Sequence, residues 1–321
     1  MRLGFAISRA GSIEPTWTTA HIACKALERG HSVRFIEPWD FEVDPLGRLV
    51  ARSHALDPEE GAVTPEELCR QLQGRLARRR FVELTRLDAL LLRINPLDLA
   101  VVTYAQAARK AGVVVLNDPA TLVRTSHKSF LAQLQGIPKP RTLITRSRAT
   151  ALSFADDEDR VVVKPARASG GRGIALVKGR GGRAVEQAFE VARSIGDGYV
   201  VIQEYLPEAE QGEKRLVWLD GQILGSYVRQ RAAGEFRHNL KCGGVPEAGD
   251  PTPEDLKLLD ALTPQLREQG IWFAGIDVIG GRVVEINTLN PGGLHLSQAF
   301  AERDLAEPII TSLQARVEDR S

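Results

Sequence analysis

The sequence predicts an α/β domain followed by an α+β region with antiparallel strands. Strand and helix patterns alternate over residues 1 to about 120, which is typical of parallel strands joined by crossover helices. Further along, two pairs of strand patterns flank Asp220-Gly221 and Gly280-Gly281, and such dipeptides favour hairpin turns. The 321 residues are enough for about two or three domains.

The amino-terminal elements follow from apolar spacing and from helix end signals. The helix predicted over Thr18–Arg29 has apolar residues at helical spacing and ends at Gly30. The helix predicted over Thr64–Arg79 begins with Thr-Pro-Glu-Glu, a typical helix start. The other elements predicted here are the strands Arg2–Ile7, Ser32–Glu37, Asp88–Ile94 and Val113–Leu116 and the helix Ala100–Ala111.

Short β-branched runs and the two hairpins characterise the remaining two thirds of the chain. The predicted strands are Arg141–Thr145, Arg160–Lys164, Ile174–Lys178, Tyr199–Tyr205, Lys214–Leu219, Ile223–Gln230, Trp272–Ile279 and Val283–Thr288. The predicted helices are Ala184–Ser194 and Pro253–Gln269.

Composition excludes several classes of protein. Hydrophobic residues make up 43% and charged residues 26%, as in ordinary globular proteins. The net charge of +1 gives no field that would favour nucleic acid. The amino terminus has too short an apolar run for a signal peptide, and no stretch is long enough to span a membrane. Three scattered cysteines, Cys24, Cys69 and Cys242, indicate a reducing compartment, so we expect a cytoplasmic protein.

A glycine-rich loop follows the strand that ends at Lys164. It contains Gly170, Gly171 and Gly173 and leads into another strand. Glycines let backbone N–H groups approach phosphate oxygens, and a lysine at the strand end reaches the same anion. Because a strand rather than a helix follows, the loop is neither a P-loop nor a dinucleotide fingerprint. The alternative is a glycine-rich hairpin turn beside a surface lysine.

The second hairpin carries three oxygen-bearing side chains within apolar strands, namely Asp277, Glu285 and Asn287. Burial of such groups is unfavourable unless they are paired or bind a metal, and oxygen ligands suit Mg²⁺. A hydrogen-bonded polar cluster is the alternative. A two-residue turn would place Glu285 on the face opposite Asp277. We therefore predict a three-residue turn, Gly280–Arg282, which places Asp277 opposite Glu285.

Two further features are weaker by themselves. The strand Tyr199–Tyr205 enters a proline-terminated loop, which suits either an adenine-binding connector or an ordinary core strand. Isolated basic residues are usually solvated, although Arg229 lies on a predicted strand. The other isolated bases are Lys128, Lys214, Arg215 and Arg237. The six histidines have neither metal-ligand spacing nor a nucleophile context.

Taken in order, these motifs resemble the ATP-grasp superfamily. The ordered set is Lys128, Lys164 with its glycine loop, Gln203-Glu204-Tyr205-Leu206, Lys214-Arg215, Arg229, Asn239, Asp277 and Glu285-x-Asn287. Within that superfamily the chain is similar to the bacterial glutathione synthetases over nearly its whole length. Supporting stretches include Leu92-Arg93-Ile94-Asn95-Pro96 and Val115-Leu116-Asn117-Asp118-Pro119.

The resemblance implies an ATP-grasp fold of three domains. These are an amino-terminal α/β (pre-ATP-grasp) substrate-binding domain over residues 1–122, a central lid over residues 123–202, and a carboxy-terminal antiparallel-sheet catalytic domain over residues 203–321. ATP would bind between the last two.

The resemblance also implies roles for individual residues. Lys128 and Lys164 would hold phosphates of ATP. The remaining nucleotide contacts would come from Gly170, Gly171, Gly173, Gln203, Glu204, Tyr205, Leu206 and Asn239. Arg215 and Arg229 would be catalytic, and they would stabilise the transferring phosphoryl group. The metal ligands would be Asp277, Glu285 and Asn287, with Mg²⁺ as the metal and Mn²⁺ as an alternative. Substrate contacts would come from Ser12, Arg93, Asn290, Gly292 and Gly293.

The implied activity is ATP-dependent joining of a small-molecule carboxylate to an amine through an acyl phosphate. Relative to the glutathione synthetases, the chain differs at Ile94-Asn95-Pro96 and at Leu289-Asn290-Pro291-Gly292-Gly293, so the substrate is γ-glutamylcysteine or another small amino acid or peptide. Alternatives are a ligase that extends a peptide or protein terminus and a non-catalytic ATP-binding protein. We expect neither a nucleic-acid nor a membrane partner, and a homodimer or homotetramer is compatible with the resemblance.

Overall fold

The computed structural model describes residues 1–57, 63–74, 78–168, 170–180 and 182–320. Three β-sheets follow one another along the chain, and they contain seven, four and five strands among the described residues. The helices are α1 (Thr18–Glu28), α2 (Pro65–Gln73), α3 (Leu99–Lys110), α4 (Leu122–Thr125), α5 (Ser129–Gln133), α6 (Arg148–Asp156), α7 (Arg183–Arg193), α8 (Pro253–Glu268), α9 (Leu294–Ala301) and α10 (Ala306–Glu318).

The first sheet has a parallel centre and an antiparallel extension. Its strands are β1 (Arg2–Ile7), β2 (Ser32–Ile36), β3 (Phe41–Val43), β4 (Leu49–Leu56), β5 (Arg78–Glu83), β6 (Ala89–Arg93) and β7 (Val114–Leu116). Strands β2, β1, β6 and β7 are parallel neighbours, as the alternating pattern predicts. Strands β3, β4 and β5 extend the sheet in antiparallel fashion beyond β2.

One predicted element of this sheet is wrong in part. The helix predicted over Thr64–Arg79 ends at Gln73, and its last two residues, Arg78 and Arg79, belong to strand β5. Residues 75–77 of that prediction lie outside the described residues. Strand β5 pairs with β4, its one partner strand in the part of the chain that the structure describes. Its three consecutive arginines lack the apolar alternation by which strands are recognised.

The second sheet is antiparallel and is covered by α6 and α7. Its strands are β8 (Thr142–Thr145), β9 (Arg160–Pro165), β10 (Ala175–Lys178) and β11 (Val200–Glu204), in the order β10-β9-β11-β8. Phe189 of α7 and Ala151 of α6 are fully buried against Val161 and Val200. The opposite face of this sheet is therefore the one that presents Lys164 to the third sheet.

The third sheet is also antiparallel, in the order β14-β13-β12-β15-β16. Its strands are β12 (Glu213–Leu219), β13 (Gln222–Gln230), β14 (Val245–Ala248), β15 (Phe273–Ile279) and β16 (Arg282–Asn287). Helix α8 packs Leu258, Leu262 and Leu266 onto one face of it, together with Trp218. The other face carries the charged residues described below.

The hairpin between β15 and β16 differs from its prediction in how the register arises. Ile279 opposes Arg282, so Gly280-Gly281 is a two-residue turn and the predicted three-residue turn is wrong. Both glycines have positive φ, of 53° and 72°, as tight hairpin turns of this length require. A β-bulge at Val284 then adds one residue to β16, so Asp277 opposes Glu285 as predicted.

The two ends of the chain share one hydrophobic core. Helix α10 packs against α1, and its Ile309 and Leu313 are fully buried in the same cluster as Leu3 and Phe5 of β1. Among the residues that the structure describes, no helix has both the length and the apolar character needed to cross a bilayer.

Candidate active site

The charged face of the third sheet is organised by strand register. Tyr227, Arg215, Asp277 and Glu285 lie on four adjacent strands and oppose one another in a single row. Directly opposed residues share a face of a sheet. The row therefore places a phenol, a guanidinium and two carboxylates side by side.

Asp277 is the electrostatic centre of this row. Arg215 donates to both of its oxygens, at 2.5 Å from Nε and 2.9 Å from Nη2, and Arg229 Nη2 donates to Oδ1 at 2.5 Å. Burial alone would raise the pKa of Asp277, but the two guanidinium groups outweigh it and lower the pKa to about 2. Asp277 is therefore ionised at neutral pH.

Glu285 and Asn287 complete the predicted metal set. Lys128 Nζ donates to Glu285 Oε1 at 2.7 Å, and Asn287 Nδ2 donates to Asp277 Oδ2 at 3.1 Å. Burial opposes ionisation of Glu285, yet Lys128 and Lys164 hold its pKa below the ordinary value. In the described ranges, no group of three or more His, Cys, Asp and Glu residues is arranged around a common metal position. Glu285 Oε2 and Asn287 Oδ1 have no hydrogen-bond donor among the described residues, and such oxygens fit Mg²⁺.

Lys164 is buried, with 7% of its surface exposed, which excludes the surface-lysine alternative. Its Nζ donates to Gln203 Oε1 at 3.0 Å, and Gln203 Nε2 donates to Thr142 Oγ1 at 2.9 Å. Burial lowers the pKa of Lys164. Gln203 thus orients the lysine toward the space between the second and third sheets.

The predicted glycine loop contacts a second loop that contains Asn239. Gly170, Gly171 and Gly173 all have positive φ, between 71° and 76°, which glycine adopts without strain. Arg237 Nη1 donates to the carbonyl of Gly171 at 3.2 Å. The side chain of Asn239 accepts the N–H of Lys241 at 2.9 Å and fixes its own loop. Both loops border the same cleft as Lys164.

The predicted adenine connector borders that cleft through an apolar cluster. Leu206 packs with Ala209, Ile279 and Val284, and Tyr205 contacts the cluster. Glu204 also borders the cleft and forms an ion pair with Arg282 at 3.4 Å. An apolar wall beside a strand end suits a flat heteroaromatic ring.

A cavity of about 1400 Å³ continues from the cleft toward the first sheet. All five predicted substrate residues line it, namely Ser12, Arg93, Asn290, Gly292 and Gly293. Arg215 Nη1 donates to the carbonyl of Gly292 at 3.1 Å, so the cavity meets the row of charged residues directly.

Arg93 is the most deeply buried cation at the far end of this cavity, with 6% of its surface exposed. It donates to Thr19 Oγ1 at 3.1 Å and to the carbonyl of Pro291 at 2.9 Å. No carboxylate pairs with it among the described residues, and burial alone lowers its pKa to about 9. A buried cation without an acidic partner favours an anionic ligand.

Comparisons with known proteins agree with this geometry. The family model described as prokaryotic glutathione synthetase, ATP-grasp domain, matches residues 127–301, and the corresponding N-terminal domain matches residues 1–123. The glutathione synthetase of Synechococcus elongatus is 30% identical over 327 residues, with 99% of each chain covered. That of Vibrio parahaemolyticus is 28% identical, with 91% of each chain covered. The chain belongs to the prokaryotic glutathione synthetase family.

Solved structures show the fold of this family member. D-cycloserine synthetase has a TM-score of 0.65 at 15% identity and covers 99% of this chain and 100% of its own. The D-Ala:D-Ser ligase of Enterococcus faecalis has a TM-score of 0.63 at 16% identity and covers 96% of this chain and 95% of its own. The predicted ATP-grasp fold is confirmed. The predicted enzyme class is also confirmed, because the family places the chain among ATP-dependent carboxylate–amine ligases that act on small molecules.

The structure of this glutathione synthetase family member adds Glu213, which the sequence analysis missed. Glu213 opposes Arg229 across β12 and β13 and forms an ion pair with it. Burial raises the pKa of Glu213 to about 7, although Arg229 opposes that shift. The sequence feature that could have revealed Glu213 is its position two residues before Arg215, because residues at that spacing lie on one face of a strand.

Proposed function

We propose that this enzyme transfers the γ-phosphoryl group of ATP to a carboxylate held in the cavity, and that an amine then displaces the phosphate. The supporting observation is the row in which Tyr227, Arg215, Asp277 and Glu285 join the nucleotide cleft to the substrate cavity. A carboxylate becomes reactive toward an amine once its oxygen is part of a phosphate leaving group. The same row of side chains would therefore serve both steps of the reaction.

Lys128, Lys164 and Arg229 would neutralise the phosphates during the first step. Transfer of a phosphoryl group is helped chiefly by fixed positive charge around its oxygens. Lys164 is already oriented by Gln203, and Arg229 is held by Asp277 and Glu213. The glycine loop and the Asn239 loop would cover the phosphates, and Leu206 with Val284 would border the adenine.

Asp277, Glu285 and Asn287 would hold Mg²⁺, with Mn²⁺ as a replacement. When bound, the metal would supply positive charge that stabilises the phosphates of ATP. In the structure Asp277 is engaged by Arg215 and Arg229. Arg215 and Arg229, which hold Asp277 in place, would also contact the substrate.

The name glutathione synthetase that the relatives carry supports γ-glutamylcysteine or another small peptide as the carboxylate donor and a small amino acid such as glycine as the amine. Arg93, with Ser12 at the same cavity, would bind a second carboxylate that does not react, and Asn290, Gly292 and Gly293 would position the reacting end. A larger amino acid in place of glycine is the main variation that a cavity of about 1400 Å³ allows.

The domain divisions, the location and the oligomeric state are also proposals. We propose domain divisions after residues 122 and 202, a cytoplasmic location and a homodimer or homotetramer. The three successive sheets support a division near each of these two positions, although β11 of the second sheet continues to Glu204, and the three free cysteines support the location.

An ADP-release screen with Mg²⁺ tests the proposed function. The purified protein is supplied with γ-glutamylcysteine or another dipeptide as donor and with a panel of amino acids. Lys164→Met keeps the buried aliphatic stem but removes the charge, and we expect turnover to fall at least about a hundredfold. Lys110→Met, on the exposed end of α3, is the matched control. Absence of ADP release with every substrate pair, or full activity of Lys164→Met, would contradict the proposal.

A further inference from the structure

Tyr227 carries a hydroxyl group that the packing of the protein does not explain. Only 2% of its surface is exposed, yet the hydroxyl has no hydrogen-bond partner among the described residues. Because the phenol lines the substrate cavity, its hydroxyl is available to donate a hydrogen bond to a ligand there.

The surroundings of Tyr227 fix the position of its ring. A Cβ atom at Gly293 would lie 3.2 Å from Tyr227 Cε1 and 3.3 Å from its hydroxyl oxygen, so the glycine turn rests directly on the phenol. Phe300 packs against the ring on another side, at 6.5 Å between centroids. Arg215 opposes Tyr227 on β12 and holds the carbonyl of Gly292. A rigid phenol is thus held beside a guanidinium.

The order of residues along the row indicates which part of the substrate the hydroxyl meets. The carboxylates Glu285 and Asp277 come first, Arg215 follows, and Tyr227 is last, farthest from the proposed metal and phosphates. A group that receives the phosphoryl must lie next to the phosphates on the cavity side. The carboxyl group of the donor therefore belongs over Arg215 and Tyr227.

We propose that the Tyr227 hydroxyl donates a hydrogen bond to the carboxyl oxygen of the donor that is not phosphorylated. This role rests on the proposed function. In the first step one carboxylate oxygen bonds to the γ-phosphorus while the bond from that phosphorus to ADP breaks. The other oxygen becomes the carbonyl oxygen of the acyl phosphate, and it is the atom that Tyr227 would contact.

The same hydrogen bond would strengthen in the second step. When the amine nitrogen bonds to the carbonyl carbon, negative charge develops on this oxygen. That charge is stabilised by a fixed donor. The C–O bond to phosphate then breaks, phosphate leaves, and the amine proton passes to solvent. The phenol remains protonated throughout, so Tyr227 acts as an oxyanion donor.

The test compares Tyr227→Phe with the wild-type enzyme by ADP release and by trapping the acyl phosphate with hydroxylamine. Tyr104→Phe, in a ring that packs on Phe41 of the first sheet, is the matched control. We expect kcat/KM for the donor to fall about a hundredfold in Tyr227→Phe, as for loss of one oxyanion donor. The KM for ATP and the midpoint of thermal unfolding should stay within the range of the control.

The outcomes separate this role from the proposed function. ADP release by the wild-type enzyme together with an unchanged donor kcat/KM in Tyr227→Phe would overturn only the role of Tyr227. A rise in the KM for ATP as large as the fall in kcat/KM would also overturn it, because the hydroxyl would then act on the nucleotide. No ADP release by the wild-type enzyme with any donor would overturn both.

Discussion

At the scale of single residues, Gly275 shows how the absence of a side chain shapes the site. It lies on β15 beside Asn287 of β16, one row away from Asp277. A Cβ atom at Gly275 would lie 2.7 Å from Nη1 of Arg215 and 3.1 Å from its Cζ. The guanidinium of Arg215 therefore lies across Gly275, and this position is possible only because the strand has a glycine there.

We expect Gly275→Ala to push Arg215 away from Asp277 and to lower kcat/KM about tenfold, which corresponds to about 1.4 kcal/mol of transition-state stabilisation. ADP release measures the effect, and thermal unfolding shows that the variant is folded. Gly11→Ala is the control, because no atom lies within 4 Å of the added carbon and φ there is not positive. Equal kcat/KM in the two variants would show that Arg215 does not depend on Gly275.

Some site residues could be predicted from the sequence and others could not, and the difference has a physical reason. Asp277 and Glu285 stand out because charged side chains are rare within apolar strands. Glu213 does not, because the predicted strand begins at Lys214 and leaves it outside, so that its spacing of two residues from Arg215 was the one sign of a shared face. The burial of Arg93 depends on Thr19 and on Pro291, which are remote in sequence, so its missing acidic partner becomes visible only in the folded structure.

At the scale of elements, the hairpin of β15 and β16 combines a tight turn with a bulge. The bulge places Val284 and Glu285 next to each other on the side of the cleft, where both line it. Val284 extends the apolar cluster of Leu206, and Glu285 completes the charged row. One inserted residue thus lets a single strand contribute to both the adenine wall and the metal set.

Deletion of Val284 tests whether the bulge is what lets β16 contribute to both the adenine wall and the metal set. The two-residue turn should then lead into a regular hairpin in which Asp277 still opposes Glu285, while the apolar contact with Leu206 is lost. We expect the affinity for a fluorescent ATP analogue to fall at least about tenfold, since a buried valine contributes about 1.5–3 kcal/mol. Val284→Ile keeps the wall and is the control. A deletion variant that binds the analogue as the wild type does, or that no longer folds, would contradict this role of Val284.

The hairpin also shows how much of a strand pairing can be predicted from the sequence pattern. Alternation and the need to bring Asp277 and Glu285 together predict the correct pairing. They cannot distinguish an odd turn from an even turn with a bulge, because both give the same register beyond the extra residue. Strand β5 was missed for a related reason, since its pairing with β4 is the only sign that Arg79 and Arg80 lie in a sheet.

At the scale of the whole molecule, the first sheet and the last helices share one core, so we expect them to unfold as one unit. Ile309 of α10 is fully buried in a cluster that includes Phe5 of β1 and Leu294 of α9. We expect Ile309→Ala to lower the free energy of unfolding by about 2–5 kcal/mol. Urea denaturation followed by tryptophan fluorescence and by far-ultraviolet circular dichroism should give coincident transitions.

Val317→Ala, at a half-buried position on the same helix, should have a smaller effect on the free energy of unfolding. Separate transitions for the two probes would show that the first sheet is stable without α10. The sequence could not predict this sharing, because α9 and α10 were not recognised as helices and nothing in a one-dimensional pattern indicates which sheet a terminal helix covers.

The shared core also has a consequence for biosynthesis. The ribosome makes β1 to β7 early, whereas α10, which packs on α1 and shares their core, is made after the other strands and helices described above. Roughly 190 residues separate β7 from α10, and translation at about 5–20 residues per second delivers them in about 10–40 seconds. Throughout that interval apolar side chains of the shared core, such as Phe5, lack the contacts that α10 provides. Chaperones that recognise apolar surface therefore have their longest access to this enzyme at its amino-terminal end.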